Sequence, residues 1–414
     1  MNKNEVELMA PAGSFESLMA AIQAGANAVY FGIEQLNMRA RSSNNFTIND
    51  LKKIVSIGKE NNIKTYLTIN TILYDHDIAL MKSIIDAAKE SGITAIIASD
   101  PAVMNYALKK GVKIHISTQT NISNIDGVEF YSTFGDVMVL ARELSLKQVA
   151  EITREIKRRN ITGPSGELVR VEVFVHGALC MAISGKCYLS LHSNFASANR
   201  GACIQNCRRS YIVTDKEEGV ELEIDNEYIM SAKDLCTIDF IDEIIKAGVS
   251  IFKIEGRGRS ADYVYTTSKC YKEAIDAYYA ETFSKEKVAH WKKELETVFN
   301  RGFWDGYYLG KTMGEWSNTY GSKATKTKIY IGKGVKYFEN IGVGEFKLES
   351  NQLNVGDEIM ITGPTTGYIE TKVQEIRINK QKENSVKKGE IFSMPIAQKI
   401  RPSDKLYKIV VTAS

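Results

Sequence analysis

Eight times between Glu7 and Glu255 the chain alternates a short β-rich run with an amphipathic stretch, and no other feature limits its fold so tightly. The strand-like runs are Glu7–Ala12, Ala28–Ile33, Lys64–Asn70, Ala95–Ser99, Lys113–Thr118, Asp136–Ala141, Val169–His176 and Ile251–Glu255. Helix-periodic stretches lie between them, among them Ser14–Gly25, Ile48–Asn62, Asp77–Gly92, Pro101–Lys110 and Leu146–Arg159. Several stop at Gly or Asn, as helix C-termini do. Strand–helix units in this number predict an α/β fold, a (β/α)8 TIM-like barrel, and counting alone leaves a doubly wound open sheet as the alternative.

The barrel would be one of two domains. Beyond helix-like stretches at Ala261–Tyr279 and Lys285–Phe299 and the Gly- and aromatic-rich turn Asn300–Gly306, the rhythm changes to short alternating strands. These are Lys328–Ile331, Val343–Leu348, Glu358–Ile361, Tyr368–Ile378 and Leu406–Val411, punctuated by Gly and turn pairs, which predicts a small all-β barrel. The expected division is residues 1–322 for the catalytic barrel and 323–414 for the β module, and 414 residues give ample core for both.

A (β/α)8 barrel places its chemistry at the C-terminal ends of its strands. The residues expected there are polar: Gly13, Gly32, Glu34, Asn70, Asp100, Ser117, Gln119, Arg142, Glu143, His176, Glu255 and Arg257. Any one of them could be an inconsequential loop residue, but together they would line one mouth. Arg39 and Arg41, in the loop after the second strand, would add guanidinium groups suited to a carboxylate or phosphate, although a solvated loop explains them equally. Arg39, Arg41 and Arg257 are accordingly the candidate substrate-binding residues, and His176, Arg142, Glu143 and Glu255 the candidate catalytic ones. His176 leads for proton transfer because an unperturbed imidazole titrates near neutrality. The string Glu255-Gly-Arg-Gly-Arg259 only looks like a phosphate loop, since it lacks the Lys-Ser/Thr ending.

Five of the six cysteines, Cys180, Cys187, Cys203, Cys207 and Cys236, follow the seventh strand in an insertion over about residues 177–237. Reduced thiols crowded in this way point to a metal centre or redox chemistry, with buried structural cysteines as the plain alternative. Zinc ligand pairs are usually two to four residues apart, which the seven-residue step from Cys180 to Cys187 fits poorly, so an iron–sulfur cluster is preferred to zinc. Cys180, Cys187, Cys203 and Cys207 are the expected ligands, with Cys236 as the alternative fourth. Cys270, alone in its helical run, reads as structural.

Charge excludes little. The formal net charge is +3, but the stretch from Thr325 onward holds fifteen Lys and Arg against ten Asp and Glu, which suits either a solvated face or a phosphate backbone. The N-terminal residues contain no apolar signal-like run and no run has membrane-spanning length, so a soluble, cytoplasmic protein without a membrane partner is expected. A protease would need an activated nucleophile or a metal-bound water. Neither HExxH nor GxSxG is present, and the histidines number five: His76, His115, His176, His192 and His290.

The run Glu172-Val-Phe-Val-His-Gly-Ala-Leu-Cys180-Met-Ala-Ile-Ser-Gly185-Lys-Cys187-Tyr-Leu-Ser190 resembles the signature of the U32 peptidase family. Met9-Ala-Pro-Ala-Gly13, Ser231-Ala-Lys-Asp-Leu-Cys236, Lys253-Ile-Glu-Gly-Arg257 and Asn300-Arg-Gly-Phe303 are similar to further landmarks of that family, and essentially the whole chain is covered. The tail resembles the family's C-terminal β-barrel, itself similar to the second domain of elongation factor Tu. The layout is most similar to the tRNA hydroxylation branch. That resemblance implies an oxygen-independent hydroxylase of the wobble uridine of tRNA, holding a 4Fe-4S cluster and using prephenate or a related anionic metabolite as donor. The family's older label implies the alternative, a collagenase-like endopeptidase.

Overall fold

The protein is described here by a computed structural model covering residues 2–41, 45–180, 182–183, 186–189, 191, 197–203, 205–209, 213–214, 217, 221–222, 231–311, 314–317 and 321–412. Among these residues, eight parallel strands close on themselves. They are β1 (Glu7–Pro11), β2 (Ala28–Phe31), β3 (Lys64–Ile69), β4 (Ala95–Ala98), β5 (Ile114–Ile116), β6 (Val137–Val139), β7 (Arg170–Ala178) and β8 (Ile251–Ile254). Each pairs with the next, and β8 pairs with both β7 (Ile251 with Glu172) and β1 (Glu7 with Ile251). The closure decides between barrel and open sheet in favour of the barrel.

The helices end where their caps dictate. In α4 (Pro101–Lys110) the Asp100 side chain accepts from the amide of Ala102, Pro101 fills the first turn, and Gly111 takes the left-handed conformation at the end. Ser145 and Gln148 form a capping box at the start of α6 (Leu146–Arg159), and Asn160 closes it. Alternation then sorts the strand side chains. Val171, Val173 and Val175 of β7 join the large apolar core beneath the helices. The inside of the barrel is different, because Glu7, His115, Glu172 and Lys253 are buried beside Tyr30, Tyr66 and Ile97.

Strand β7 overshoots the barrel and launches the cysteine segment, which the chain leaves by the strand Asp234–Cys236. That strand runs antiparallel to β7, Asp234 opposite Ala178 and Cys236 opposite His176, and carries the further strand Phe303–Trp304 on its other edge. The excursion therefore starts and ends at one point of the rim. It also reaches across the mouth: Arg41 N donates to Gly201 O, Ile72 N to Asn199 O, and Arg200 bonds the carbonyl of Ile72 and pairs with Asp77. Gly185 and Ser190 of the signature run, and His192, lie outside the described residues.

The C-terminal module is an antiparallel sheet in the order Gly367–Lys372, Glu358–Gly363, Lys405–Val411, Lys326–Phe338, Val343–Leu348, Ile391–Pro395, Ile376–Ile378 and Gln381–Glu383, with a separate ribbon of Gln352–Asn354 and Ser385–Lys387. Strands from both ends of that sheet, through Ile369 and Ile376, share one core with Phe346, Phe392 and Leu406, so the sheet is curled around it. The single expected strand Tyr368–Ile378 is thus two strands at opposite ends of the sheet, broken where Val373 turns inward. The module packs on α1 (Phe15–Gln23) and the long helix Ala261–Tyr279. Gln23 bonds the backbone of Thr366 and Tyr368, the Tyr265 and Tyr368 rings lie 4.6 Å apart, and Lys328 pairs with Asp262 at 2.6 Å.

Candidate active site

A cavity of about 360 Å³ opens between the C-terminal ends of the barrel strands and the cysteine segment. Cys180, Cys187, Cys203 and Cys207 all line it. Cys236 does not. It is 4 % exposed, buried in the core with the Tyr271 hydroxyl 3.8 Å from its sulfur, and burial pushes its thiol up to about 11. The strand Asp234–Cys236, held between β7 and the strand Phe303–Trp304, is buried along its whole length, and Cys236 is enclosed with it. Burial also raises the Cys180 and Cys207 thiols, and each of these two feels the charge of the other cavity cysteines. Among the described residues no group of three or more His, Cys, Asp or Glu side chains is placed to hold a metal ion; the four thiols share the cavity lining.

The opposite wall belongs to the barrel. Arg39 reaches Glu255 at 2.7 Å, and Glu255 also accepts from the Tyr30 hydroxyl at 3.1 Å. Burial raises the Glu255 carboxyl, but Arg39, Arg142 and Arg257 outweigh it and hold the group at about 2. Arg257 is buried, donating to Asn37 Oδ1 at 3.0 Å and Thr68 Oγ1 at 2.8 Å, and burial lowers it to about 10. Two close approaches make this packing possible. A Cβ on Gly13 would lie 1.9 Å from the Arg257 carbonyl oxygen, and one on Gly177, at φ +104°, 2.4 Å from that of Glu255. Arg142 stacks its guanidinium 4.2 Å from the Phe174 ring centroid, and its buried Nε has no acceptor among the described residues. Asn70, Ser117 and Gln119 complete this wall, with the Gln119 Oε1 buried and without a donor.

Three of the candidate catalytic and substrate-binding residues lie elsewhere, and of the other strand-end residues Gly13, Gly32, Glu34 and Asp100 are also outside the lining. His176 is 1 % exposed and does not line the cavity; it packs among Tyr263, Tyr271 and Phe303, and burial lowers its imidazole to about 3. A neutral, enclosed imidazole is no proton shuttle for a ligand in the cavity. Arg41 and Glu143 are exposed and outside the lining, because each follows its strand end by enough residues to swing into solvent.

The structure adds residues that the strand-end argument passed over. Arg208, Arg259 and Arg301 line the cysteine side, each with its guanidinium pKa lowered mainly by burial. Arg208 ties the segment down through the carbonyls of Ala232 and Leu179, and Arg259 lies 3.4 Å from the Phe299 ring centroid. Lys253 lies on the floor, bonded to Glu172 at 2.7 Å. Its place in the alternation Lys253, Glu255, Arg257 was the available signal, since every second residue of a strand shares a face. The cavity thus gathers cationic side chains around a set of thiols, with Glu255 the carboxylate in its lining.

Comparison with known proteins is consistent along the chain. The family model described as Peptidase family U32 matches residues 13–318. A Porphyromonas gingivalis (strain ATCC BAA-308 / W83) protein named Collagenase is 60 % identical over 408 residues, covering 99 % of each chain. A tRNA hydroxylation protein of Bacillus subtilis (strain 168) is 31 % identical over 412 residues, covering 97 % of this chain and 94 % of its own. A solved U32 peptidase overlies 62 % of this chain and 94 % of its own with a TM-score of 0.39 at 12 % identity.

Proposed function

The chain belongs to peptidase family U32, and from that premise we propose that it is an oxygen-independent tRNA hydroxylase acting in the cytoplasm on the wobble uridine. The observation that carries this reading is the meeting of Cys180, Cys187, Cys203 and Cys207 with buried cationic side chains around one cavity. Four soft thiol donors lining one cavity are the ligand type an iron–sulfur cluster takes, and the seven-residue step from Cys180 to Cys187 fits the usual zinc spacing poorly. Cys180, Cys187, Cys203 and Cys207 would hold a 4Fe-4S cluster, and the nearby Arg208, Arg259 and Arg301 would offset its negative charge. When bound, the cluster supplies electron-transfer chemistry beside the substrate.

The chain's own residues have separable tasks. The Nε of Arg142, without an acceptor among the described residues although another nitrogen of the guanidinium donates to the Ala178 carbonyl, suits a carboxylate of prephenate or a similar anionic donor, while Arg39 and Arg257 are engaged by Glu255 and by Asn37 and Thr68. Arg39 keeps Glu255 ionised and fixed. The C-terminal module would dock the tRNA backbone, with Lys380, Lys387 and Lys388 among its exposed basic residues; Lys326, Lys333, Arg377 and Lys382 are taken up by glutamates. No helix of the described residues is long and apolar enough to cross a membrane.

The name Collagenase on a 60 % identical relative favours an endopeptidase as the second reading. Against it, none of the described histidines lines the cavity, and a cysteine held in a cluster is no nucleophile. The experiment compares tRNA nucleosides of a deletion strain and its complemented parent by mass spectrometry, alongside gelatin cleavage by the purified protein. Loss of a hydroxylated uridine without gelatin cleavage supports the hydroxylase; an unchanged nucleoside profile with cleavage overturns it.

A further inference from the structure

We propose that Lys253 is a substrate-contacting residue, whose ammonium on the cavity floor donates a charge-assisted hydrogen bond to a carboxylate oxygen of the anionic co-substrate, with Glu172 and His115 as positioning residues behind it. The proposal rests on the hydroxylase reading and deepens it. Lys253 is 4 % exposed, and its Nζ donates to Glu172 Oε1 at 2.7 Å. The same nitrogen stands 4.7 Å from the Tyr30 ring centroid and 5.3 Å from that of Phe174. An ammonium carries three N–H donors, and the ring faces offer it electrostatic attraction without a lone pair in the manner of an oxygen. Among the described residues one acceptor is therefore in place where three could be used.

The pair is also polarised with respect to the cavity. Lys253 lines it; Glu172, with no exposed surface, does not. Its second oxygen is engaged by His115 Nδ1 at 3.0 Å, and because a carboxylate can only accept, that nitrogen carries the hydrogen. Glu172 is thus gripped from both sides inside the barrel, while the positive end of the pair is presented to the ligand space. Burying two charges as mere filler is a poor use of a barrel interior, where apolar side chains of the same volume pack at least as well. An oxyanion arriving at Lys253 supplies the missing acceptor in a water-poor setting, where charge-assisted bonds are strong.

The test uses a strain lacking the gene, complemented with the full chain carrying Lys253→Met, Glu172→Gln, or both. Hydroxylated nucleoside in total tRNA is measured by mass spectrometry, and melting temperature and iron per chain are measured on the purified proteins. Lys253→Met alone leaves Glu172 without its cation and is expected to lower the melting temperature as well as hydroxylation. The double variant removes both charges. It is expected to recover the melting temperature and iron content while hydroxylation stays down by about tenfold or more, the worth of a hydrogen bond to a charged group. Glu172→Gln, which keeps the ammonium, is expected to retain more hydroxylation per folded chain than Lys253→Met. A double variant that hydroxylates as wild type does, or equal loss in the two single variants, overturns the proposal and leaves the network a structural ion pair. A wild-type gene that restores no hydroxylated nucleoside overturns the hydroxylase reading and this proposal with it, a pattern distinct from the other two.

Discussion

The barrel mouth and the C-terminal module both carry an excess of Lys and Arg, but they place it in opposite dielectric settings. At the mouth, Arg142, Arg257 and Lys253 lie against aromatic rings and Arg39 against Glu255, around a cavity that four thiols also line. In the module the lysines stand outside a core built on residues such as Phe346, Phe392 and Leu406, and Lys333, Lys399 and Lys408 pair with glutamates or an aspartate at the surface. A charge in water costs little and reports little. A charge taken out of water must be compensated, so its compensators, or the lack of them, identify what the site is built to receive.

That contrast can be broken most sharply at the cysteines. Replacing Cys180, Cys187, Cys203 or Cys207 by Ala is expected to abolish iron binding on anaerobic reconstitution, whereas Cys236→Ala, in the core, keeps its iron; the reverse pattern in an iron assay would remove the cavity as the cluster site. Next in size is the module's own core. Phe392→Ala, which removes one of two stacked rings 5.7 Å apart, should cost about 3–5 kcal/mol in urea denaturation. The tail ion pair tests the opposite extreme: Lys382→Gln, facing Glu375 at the surface, should leave the same curve unmoved.

A smaller effect separates buried from solvated titration. His176 has its folded pKa depressed to about 3 from an ordinary 6.5, so below pH 6.5 the unfolded chain takes up a proton that the folded chain refuses. Its contribution to stability is full above pH 6.5 and is lost as pH falls towards 3. Melting curves of His176→Gln should be less pH-dependent across that window, and a slope identical to wild type would show that the imidazole is solvated after all. A further effect, read in binding and not in stability, belongs to the outer lysines. Replacing Lys380, Lys387 and Lys388 by Ala should reduce the salt dependence of tRNA binding by about 0.7–0.9 per lysine that contacts a phosphate; an unchanged slope would remove the module from RNA docking.

The barrel was legible because its signals are local. Strand runs, Gly and Asn stops and the Asp100–Pro101 start are written in neighbouring residues, and all eight expected strands coincide with observed ones to within a few residues. The short pieces were not. Strand Asp234–Cys236, helix Ile125–Ser132 and the two-part break at Val373 depend on what lies across from them, and brief segments carry too little periodicity to declare a partner. Of the candidate site, the four cysteines, Arg39, Arg142, Glu255 and Arg257 do share one cavity, because strand ends in a closed barrel must meet. His176, Arg41 and Glu143 failed through orientation, which one residue of register or loop can reverse.

By itself, then, the sequence determined the order and number of the elements, the density of thiols after the seventh strand and the concentration of polar residues at strand ends, since each is a pattern over a few consecutive positions. The tertiary structure alone decided that Cys207 faces the cavity and Cys236 the core, that Lys253 addresses the ligand space while Glu172 and His115 stand behind it, and that module lysines such as Lys326, Lys333 and Lys408 already have partners. Those choices turn on burial and on contacts between residues up to 345 positions apart, as between Gln23 and Tyr368. No short stretch of chain contains that information, because the dielectric around a side chain is set by whatever the fold brings against it.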